Sequence, residues 1–542
     1  MSHGAESAAL PSEPAAPPAE PAAPPAEPKV PPRAEAKPPR PRPLPGWLPL
    51  VPALLTLGVT LWQIQGPSFS MDEDATLLAV NRSFPQLITL LGKIDVVHGA
   101  YYSLIWVVTR VFGGSELAVR FPSAVAMAVA AAGIAVIGRR LVSDLAGLAS
   151  GVLFAILPSV SWYAEDARDY AFVTALAVWA SYAFIRAMDT PQRRRRWLAG
   201  YGTLLAFLGL FNLFALLLIP AHAVTIAARA RRDPGLGRSF VKGWLIAATA
   251  AVVVVSPVIV AGYGQLHLVN WIGKLKVRDA LSVMRLAGGR PLFGVLAGIT
   301  LLALLAAAGG GRAWLRKNWP RPLVALAVPW LLLPPAVLLT VSLFHPVYNY
   351  RYIAFCIPAI ALLGGTALAA LARVPGIVGP VVAGISLIVV IAVGLPVQVA
   401  QRGPDGHGFN IRRVNQIVAR HERPGDDLLT ISGAVYERGL TVAYPFGLRP
   451  LHDVGQGLTP VQSTTMGGTY APDPVIRQRL AGVTRLWVVG GTTKQVPLLD
   501  GLGFRLVKRW YVTRVYIRIY VRGPGTSPLS SQRSSQLSGQ QT

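Results

Sequence analysis

Cysteine is almost missing from this chain: Cys356 is the single copy in 542 residues. That excludes a disulfide within the chain and leaves nothing from which to build a cysteine metal site. Charge is scarce as well. Asp, Glu, Lys and Arg make up 14% of the residues, against about 25% in a soluble domain. Acids are the scarcer sign, 25 against 51 Lys and Arg, which leaves a net charge of +26. The basic residues are scattered between apolar stretches rather than gathered in one domain, which argues against a nucleic-acid partner. A short apolar core with a cleavage site is also lacking near the N-terminus, so that segment does not read as a signal peptide.

What fills the chain is apolar: 52% of it is hydrophobic and the mean hydropathy is +0.46. Repeated uncharged stretches of about 20 residues predict a polytopic membrane protein. The surplus of Lys and Arg then belongs to cytoplasmic loops, which set orientation. Attraction to anionic lipid is a second reading.

Residues 1–45 repeat Pro, Ala and Glu and end in KPPRPRP. They predict a disordered Pro/Ala-rich cytoplasmic arm. With that basic flank inside, a first span at about 46–64 leads outward. The acids Asp72, Glu73 and Asp74 then land just beyond the outer face. The apolar stretch 96–109 has 14 residues between Asp95 and Arg110. As a helix it reaches about 21 Å, short of a hydrocarbon core about 30 Å thick. It is therefore expected to lie on the outer surface. Further spans are predicted at about 121–138, 145–164 and 170–185. The uncharged run 197–228, bounded by Arg196 and Arg229, predicts a helical hairpin turning near Asn212. Spans at about 243–263, 291–309, 322–344, 352–372 and 375–397 complete the set. Every large basic cluster then lies inside.

The expected fold class is thus a polytopic α-helical membrane protein. About 11 helices fill 46–397, a small extracytoplasmic α/β domain fills 398–523, and a disordered tail covers 524–542. In the α/β domain, DDLLTISG and RLWVVGG predict buried strands, and RLVKRWYVTRVYIRIYVR predicts a half-exposed hairpin. GGTTK at 490–494 lacks the spacing of a phosphate loop.

This scheme gathers Asp72, Glu73, Asp74, Asp95, His98, Tyr101, Tyr102, Glu165, Asp166, Arg168, Asp169, His345, Tyr348, Tyr350 and Arg351 on one face. Any one of them is equally explained as a solvated loop residue. Their clustering favours a site, because ionisable groups at a membrane boundary must be solvated or paired. A carboxylate can deprotonate a hydroxyl nucleophile, and Arg or His can hold a phosphate through charge-assisted bonds. The combination suits group transfer from a lipid phosphate. A proton-coupled transporter is the competing class, but it wants acids near the bilayer midplane, and the predicted spans are almost free of charge.

Four segments then carry a resemblance. MDED after the first span resembles the Asp-Glu motif in the first outer loop of GT-C glycosyltransferases, in the branch of protein O-mannosyltransferases and aminoarabinose transferases. HGAYYSLIWVVTRVFGGSELAVRFPSA resembles that branch's His-Pro-Pro-Leu-Tyr-Tyr segment with its following Arg-Leu-Pro-Ser. SWYAEDARDYA and YRYIAFCIPAIALL resemble its Glu-Ala-Arg-x-Tyr-Ala and Arg-Tyr-then-Pro segments. The similarity runs over about 46–190 and thins beyond.

The resemblance implies a GT-C fold and a membrane glycosyltransferase. Such an enzyme moves a sugar, mannose first among the choices, from a polyprenyl-phosphate donor to an acceptor hydroxyl. The reaction inverts the anomeric carbon, on the outer face of the plasma membrane. Asp72 would be the catalytic base, with Glu73 supporting it. His98 matches the family's basic phosphate contact. A further family Arg is Ala75 here, and the double proline is Gly99-Ala100. Arg168 and Arg351 with Tyr352 are the expected replacements, unless the arginines pair with Glu165 or Asp169. Tyr101 is expected at the same site; Arg120 either faces it or anchors a helix end. Residues 264–290, with Lys274, Lys276 and Arg278, are an interfacial helix or a cover over the donor. No cofactor is called for, and a divalent metal stays open. The implied partners are the polyprenyl-phosphate sugar, a protein or glycan acceptor and the lipid bilayer. One alternative substrate pair is arabinose or aminoarabinose with a glycolipid or polysaccharide. An alternative of another class is a lipid-linked sugar flippase.

Overall fold

The structure is a computed structural model that describes residues 45–523 except 233–236, 270–271, 310–319, 432–438, 491–495 and 514. The expected arm, all but its last residue, lies outside the described residues. So do the tail 524–542 and most of the 310–321 loop and of GGTTK.

The chain begins with α1 (Leu50–Leu61), followed by three short helices: α2 (Met71–Val80), α3 (Phe84–Leu91) and α4 (Gly99–Phe112). Helix α4 is the apolar stretch that looked too short to span. It buries Tyr101, Tyr102 and Ile105 and leaves Val107, Val111 and Phe112 exposed. Next come α5 (Glu116–Leu141), α6 (Asp144–Ile156), α7 (Pro158–Ala164), α8 (Tyr170–Asp189), α9 (Arg194–Phe211), α10 (Leu218–Ala230) and α11 (Gly237–Gly264). Four more long helices follow: Arg290–Gly309, Arg321–Val341, Tyr350–Leu371 and Val378–Gln401.

Uncharged sequence folds this way because a backbone in hydrocarbon must pair its own amides, which a helix does within the segment. Among the described residues, eight helices are long and apolar enough to cross a membrane, or nine with α6 and α7 counted as one span. That pair is bent by 62° at Pro158, where the ring removes an N–H and the helix cannot run straight. The span expected at 145–164 is thus a bent pair, and the bend carries the chain into the loop 165–169. The Asn212 turn is present as a 3-10 segment, Leu213–Leu217, between α9 and α10.

Burial sorts the helices. The Tyr350–Leu371 helix is 89% buried in its apolar window, whereas α11 is 22% buried. The first is a central post and the second a peripheral one. The post packs closely because Gly365 lies on the Ser150 backbone, where a Cβ would come within 2.3 Å. The segment 264–290 is not one interfacial helix. It consists of short turns at Leu266–Val269, Val277–Ala280 and Leu281–Ala287, and Gly288 and Gly289 close it at positive φ.

Residues 411–523 form a sheet flanked by helices, among them Ile411–His421 and Asp473–Leu480. The strands are β1 (Asp427–Ile431), β2 (His452–Asp453), β3 (Arg485–Gly490), β4 (Phe504–Val512) and β5 (Val515–Arg522), in the order β2-β1-β3-β5-β4. β1 runs parallel to β2 and β3, and β5 pairs antiparallel with β3 and β4. The predicted hairpin is β4–β5. This unit grips the α1–α2 loop. Arg412 donates to the carbonyls of Gln65 and Gly66 and pairs with Glu116 at 2.6 Å. Tyr444 donates to Glu116 at 2.7 Å.

The charged loops sort to two ends of the bundle. At one end, Arg140 and Arg229 both pair with Asp189. At the other, the start of α2 and the loops after α3, α7 and α9 converge with residues 347–352.

Candidate active site

The acid cluster opens α2. Ser70 caps this helix: its hydroxyl accepts from the Glu73 amide at 3.2 Å, while the Glu73 carboxylate accepts from the Ser70 amide at 2.8 Å. Consecutive helical residues point about 100° apart, so the three acids face three different surroundings.

Asp72 faces a cavity of about 370 Å3. Its carboxylate is ion-paired with Arg351 through Oδ2 and Nη1. Arg351 is presented by the 3-10 turn Tyr350–Cys356, which Asn349 caps by accepting from the Arg351 amide at 3.2 Å. Both side chains stay about a third exposed, 34% for Asp72 and 28% for Arg351.

Glu73 turns inward and is fully buried. It accepts from Arg120 at both oxygens, 2.7 and 2.8 Å, and from the Ala167 amide at 3.1 Å. His407 stands 3.8 Å away. Burial would push this carboxyl up, but the charge and hydrogen bonds of Arg120, with help from His407, hold it well below the usual range.

Asp74 is buried against Gly439, and among the described residues neither of its oxygens has a hydrogen-bond partner. Burial, then the nearby Glu73 charge, pushes its carboxyl well above the usual range, which favours the protonated form.

The loop 165–169 supplies the second wall. Thr76 on α2 donates to the Ala167 carbonyl at 3.1 Å, and Ser123 on α5 to the Asp166 carbonyl at 3.1 Å, which fixes the loop against α2 and α5. Arg168 then reaches into the cavity. It donates to His98 Nε2 at 2.9 Å and to the Tyr102 hydroxyl at 3.3 Å, and lies 3.5 Å from the Asp72 carbonyl. Guanidinium only donates, so His98 Nε2 must accept and the ring proton sits on Nδ1, 3.8 Å from Asp169. Burial and the Arg168 charge both push the imidazole well down, which keeps it neutral. Asp169 accepts from Asn212 at 3.3 Å. Its burial outweighs the Arg168 charge and lifts it to about 6. Asp95 accepts from Tyr102 at 3.1 Å, and its carboxyl is also raised by burial.

The polar floor is therefore Asp72, Asp95, His98, Arg168, Asn212 and Arg351. The remaining walls include Phe211, Leu213, Phe214, Ile259, Leu266 and Tyr352. Tyr352 stacks on Phe214 with ring centres 5.3 Å apart. Chemically, this is a pocket with two guanidinium groups, two carboxyls of which Asp72 is about a third exposed, and an apolar side.

Of the site residues expected from sequence, Asp72, His98, Arg168, Arg351 and Tyr352 line this cavity together. Glu73, Arg120 and Tyr101 do not. Arg120 is fully buried, with its guanidinium engaged by Glu73 and the carbonyls of Ile64, Pro67 and Ser68. Tyr101 packs on Phe172, ring centres 6.1 Å apart. His345 is exposed, and Tyr350 packs under Arg285 at 4.9 Å. Lys274, Lys276 and Arg278 are exposed away from the cavity, although Ile272 of the same segment lines it.

Asn212, Gln265 and Asn349 were not singled out as site residues. Asn212 left one signal, as the lone amide inside a 32-residue uncharged run. A further buried group joins Glu165, already placed on this face, to Arg402 and His407, which left none. Arg402 lies 3.2 Å from Glu165, across more than 200 residues of chain. Among the described residues, no three His, Cys, Asp or Glu side chains converge as a metal site requires.

Residues 100–260 match the sequence profile of the dolichyl-phosphate-mannose-protein mannosyltransferase family. No curated protein sequence matches the chain. Among solved structures, ArnT from Cupriavidus metallidurans bound to undecaprenyl phosphate is similar, with a TM-score of 0.57 at 15% identity, over 87% of this chain and 97% of ArnT. The same enzyme in its apo state gives 0.55 at 15% identity, with the same coverage. The chain thus has the GT-C fold, of the type shared with ArnT.

Proposed function

We propose that this protein is a membrane glycosyltransferase that takes a sugar, mannose first, from a polyprenyl-phosphate donor. The carrying observation is Asp72, an exposed carboxylate in a cavity that also holds Arg351, Arg168 and an apolar wall. The profile match to mannosyltransferases supports the sugar, and the undecaprenyl phosphate bound to ArnT supports the carrier.

The chemistry follows from the groups present. The donor phosphate sits against Arg351 and Arg168, its lipid along Phe211, Phe214 and Ile259. Arg351 moves from Asp72 toward the phosphate as the donor binds, freeing the carboxylate. The acceptor hydroxyl, on a protein or a glycan, attacks the anomeric carbon from the face opposite the phosphate. Its proton passes to Asp72, the bond from the anomeric carbon to the phosphate oxygen breaks, and polyprenyl phosphate leaves with the electron pair. The product is inverted. A phosphate monoester leaves readily as an anion beside two guanidinium groups, so no separate acid is required. Glu73 and Arg120 act as positioning residues that fix the start of α2.

In the same proposal, 46–397 is the catalytic membrane domain. Residues 398–523 form an extracytoplasmic domain that closes over the α1–α2 loop, and the site opens on the outer face of the plasma membrane. The test is Asp72→Asn, assayed with purified protein, polyprenyl-phosphate mannose and acceptor. Turnover falls at least about 100-fold, the usual worth of a general base, while donor binding persists. Unchanged turnover refutes the role of Asp72. No glycoside from the unaltered protein with mannose, arabinose or aminoarabinose donors refutes the activity.

A further inference from the structure

The end of the bundle away from Asp72 holds a second recess, of about 480 Å3. Asp189, Arg229, Arg232 and Arg321 line it, three cations against one acid, with buried Ile185 and Leu326 among its apolar walls. The acid is already engaged, by Arg140 at 3.1 Å and Arg229 at 3.6 Å. Arg232 and Arg321 are exposed, and among the described residues neither pairs with a carboxylate.

An independent feature adds to this positive field. The 21-residue helix Arg321–Val341 begins in the recess, with Arg321, Pro322 and Ala325 on its lining. Its N-cap is Pro320, which supplies no side-chain hydrogen bond, and its first turn contains no acid. The positive end of the helix dipole therefore adds to the two exposed guanidinium groups of Arg232 and Arg321. The site asks for an anion with oxygen acceptors. The apolar wall asks for more than a soluble anion: buried aliphatic side chains beside a cationic mouth suit a headgroup with its acyl chain attached.

We infer that this recess binds an anionic phospholipid of the adjoining leaflet, its phosphate between Arg232, Arg321 and the N-terminus of the Arg321–Val341 helix. The site is separate from the proposed transfer chemistry and stands without it.

Native mass spectrometry of the full chain in detergent tests it, with phosphatidylglycerol, phosphatidylcholine and glycerol phosphate as titrants. Phosphatidylglycerol stays bound to the unaltered protein, and phosphatidylcholine binds at least about tenfold more weakly. Each basic residue near a lipid surface contributes about a fivefold factor, so R232A/R321A weakens phosphatidylglycerol about 25-fold. R232K/R321K keeps most of the binding, which separates lost charge from lost structure. Equal binding of the two lipids, or an unchanged affinity in R232A/R321A, overturns the site. Glycerol phosphate binding as tightly as phosphatidylglycerol overturns the lipid in favour of a free phosphate.

Discussion

Arg120→Met offers the sharpest test of how the site is held. Its guanidinium makes two hydrogen bonds to Glu73, at 2.7 and 2.8 Å, and three to the carbonyls of Ile64, Pro67 and Ser68, at 2.7, 3.0 and 3.2 Å. Both side chains of the ion pair are fully buried. Methionine has a similar length and fills the space, but it strands a buried carboxylate and three carbonyls. Removing one partner of a buried pair costs about 3–5 kcal/mol. The neighbouring pair, Asp72 with Arg351, is about a third exposed on each side, so breaking it costs about 0–1 kcal/mol. Two acids adjacent in sequence thus differ severalfold in what they contribute to stability. Denaturant unfolding of the purified protein in micelles measures the difference. Arg120→Met and Glu73→Gln each lose about 3–5 kcal/mol, and E73M/R120M recovers part of it because no charge is left unpaired. A loss below about 1 kcal/mol in Arg120→Met refutes the positioning role.

Arg351→Ala and Arg168→Ala each raise the donor KM in steady-state assays, Arg351→Ala with little loss of fold because its pair with Asp72 is partly exposed; an unchanged KM in both removes them from the phosphate site. Burial lifts Glu165 and Asp166 to about 8, each partly offset by arginine: Arg402 and Arg120 beside Glu165, Arg168 and Arg120 beside Asp166. Carboxyls in the unfolded chain titrate near 4. The folded chain therefore keeps two protons that the unfolded chain releases between about pH 4 and 8, so stability falls as pH rises through that window and levels off above it. Melting curves of E165Q/D166N flatten that fall; an unaltered slope contradicts it. Glu73 has the opposite sign. Its carboxyl is depressed from 4.5, so its contribution is complete above that pH and is lost as pH falls below it.

The membrane helices were legible because hydrocarbon leaves few choices: long uncharged runs must become helices, and the basic clusters at their ends group them by side. That is why Asp72, His98, Arg168 and Arg351 could be gathered on one face from the sequence. The bend at Pro158 was less legible, since a proline within an apolar run is also compatible with a kinked single span. Direction within α2 was hidden until the cap was seen. The Ser70–Glu73 capping box fixes the helix phase, and with it which acid faces the cavity. Arg120 was left between two readings for a physical reason: a span-end arginine looks available to a ligand until its five acceptors are known. Contacts such as Arg402 with Glu165 join segments remote in sequence, and no local pattern encodes them. Asn212 lies between these extremes, visible as an anomaly but assigned only to a turn.

On this reading the Asp72 cavity holds the donor. A structure of the protein with a non-hydrolysable polyprenyl-phosphate sugar tests it most directly. The phosphate is expected within hydrogen-bond reach of Arg351 and Arg168, with Arg351 withdrawn from Asp72 and the anomeric carbon beside the freed carboxylate. A donor bound with its phosphate outside that cavity, or with Asp72 still closed on Arg351, would contradict it.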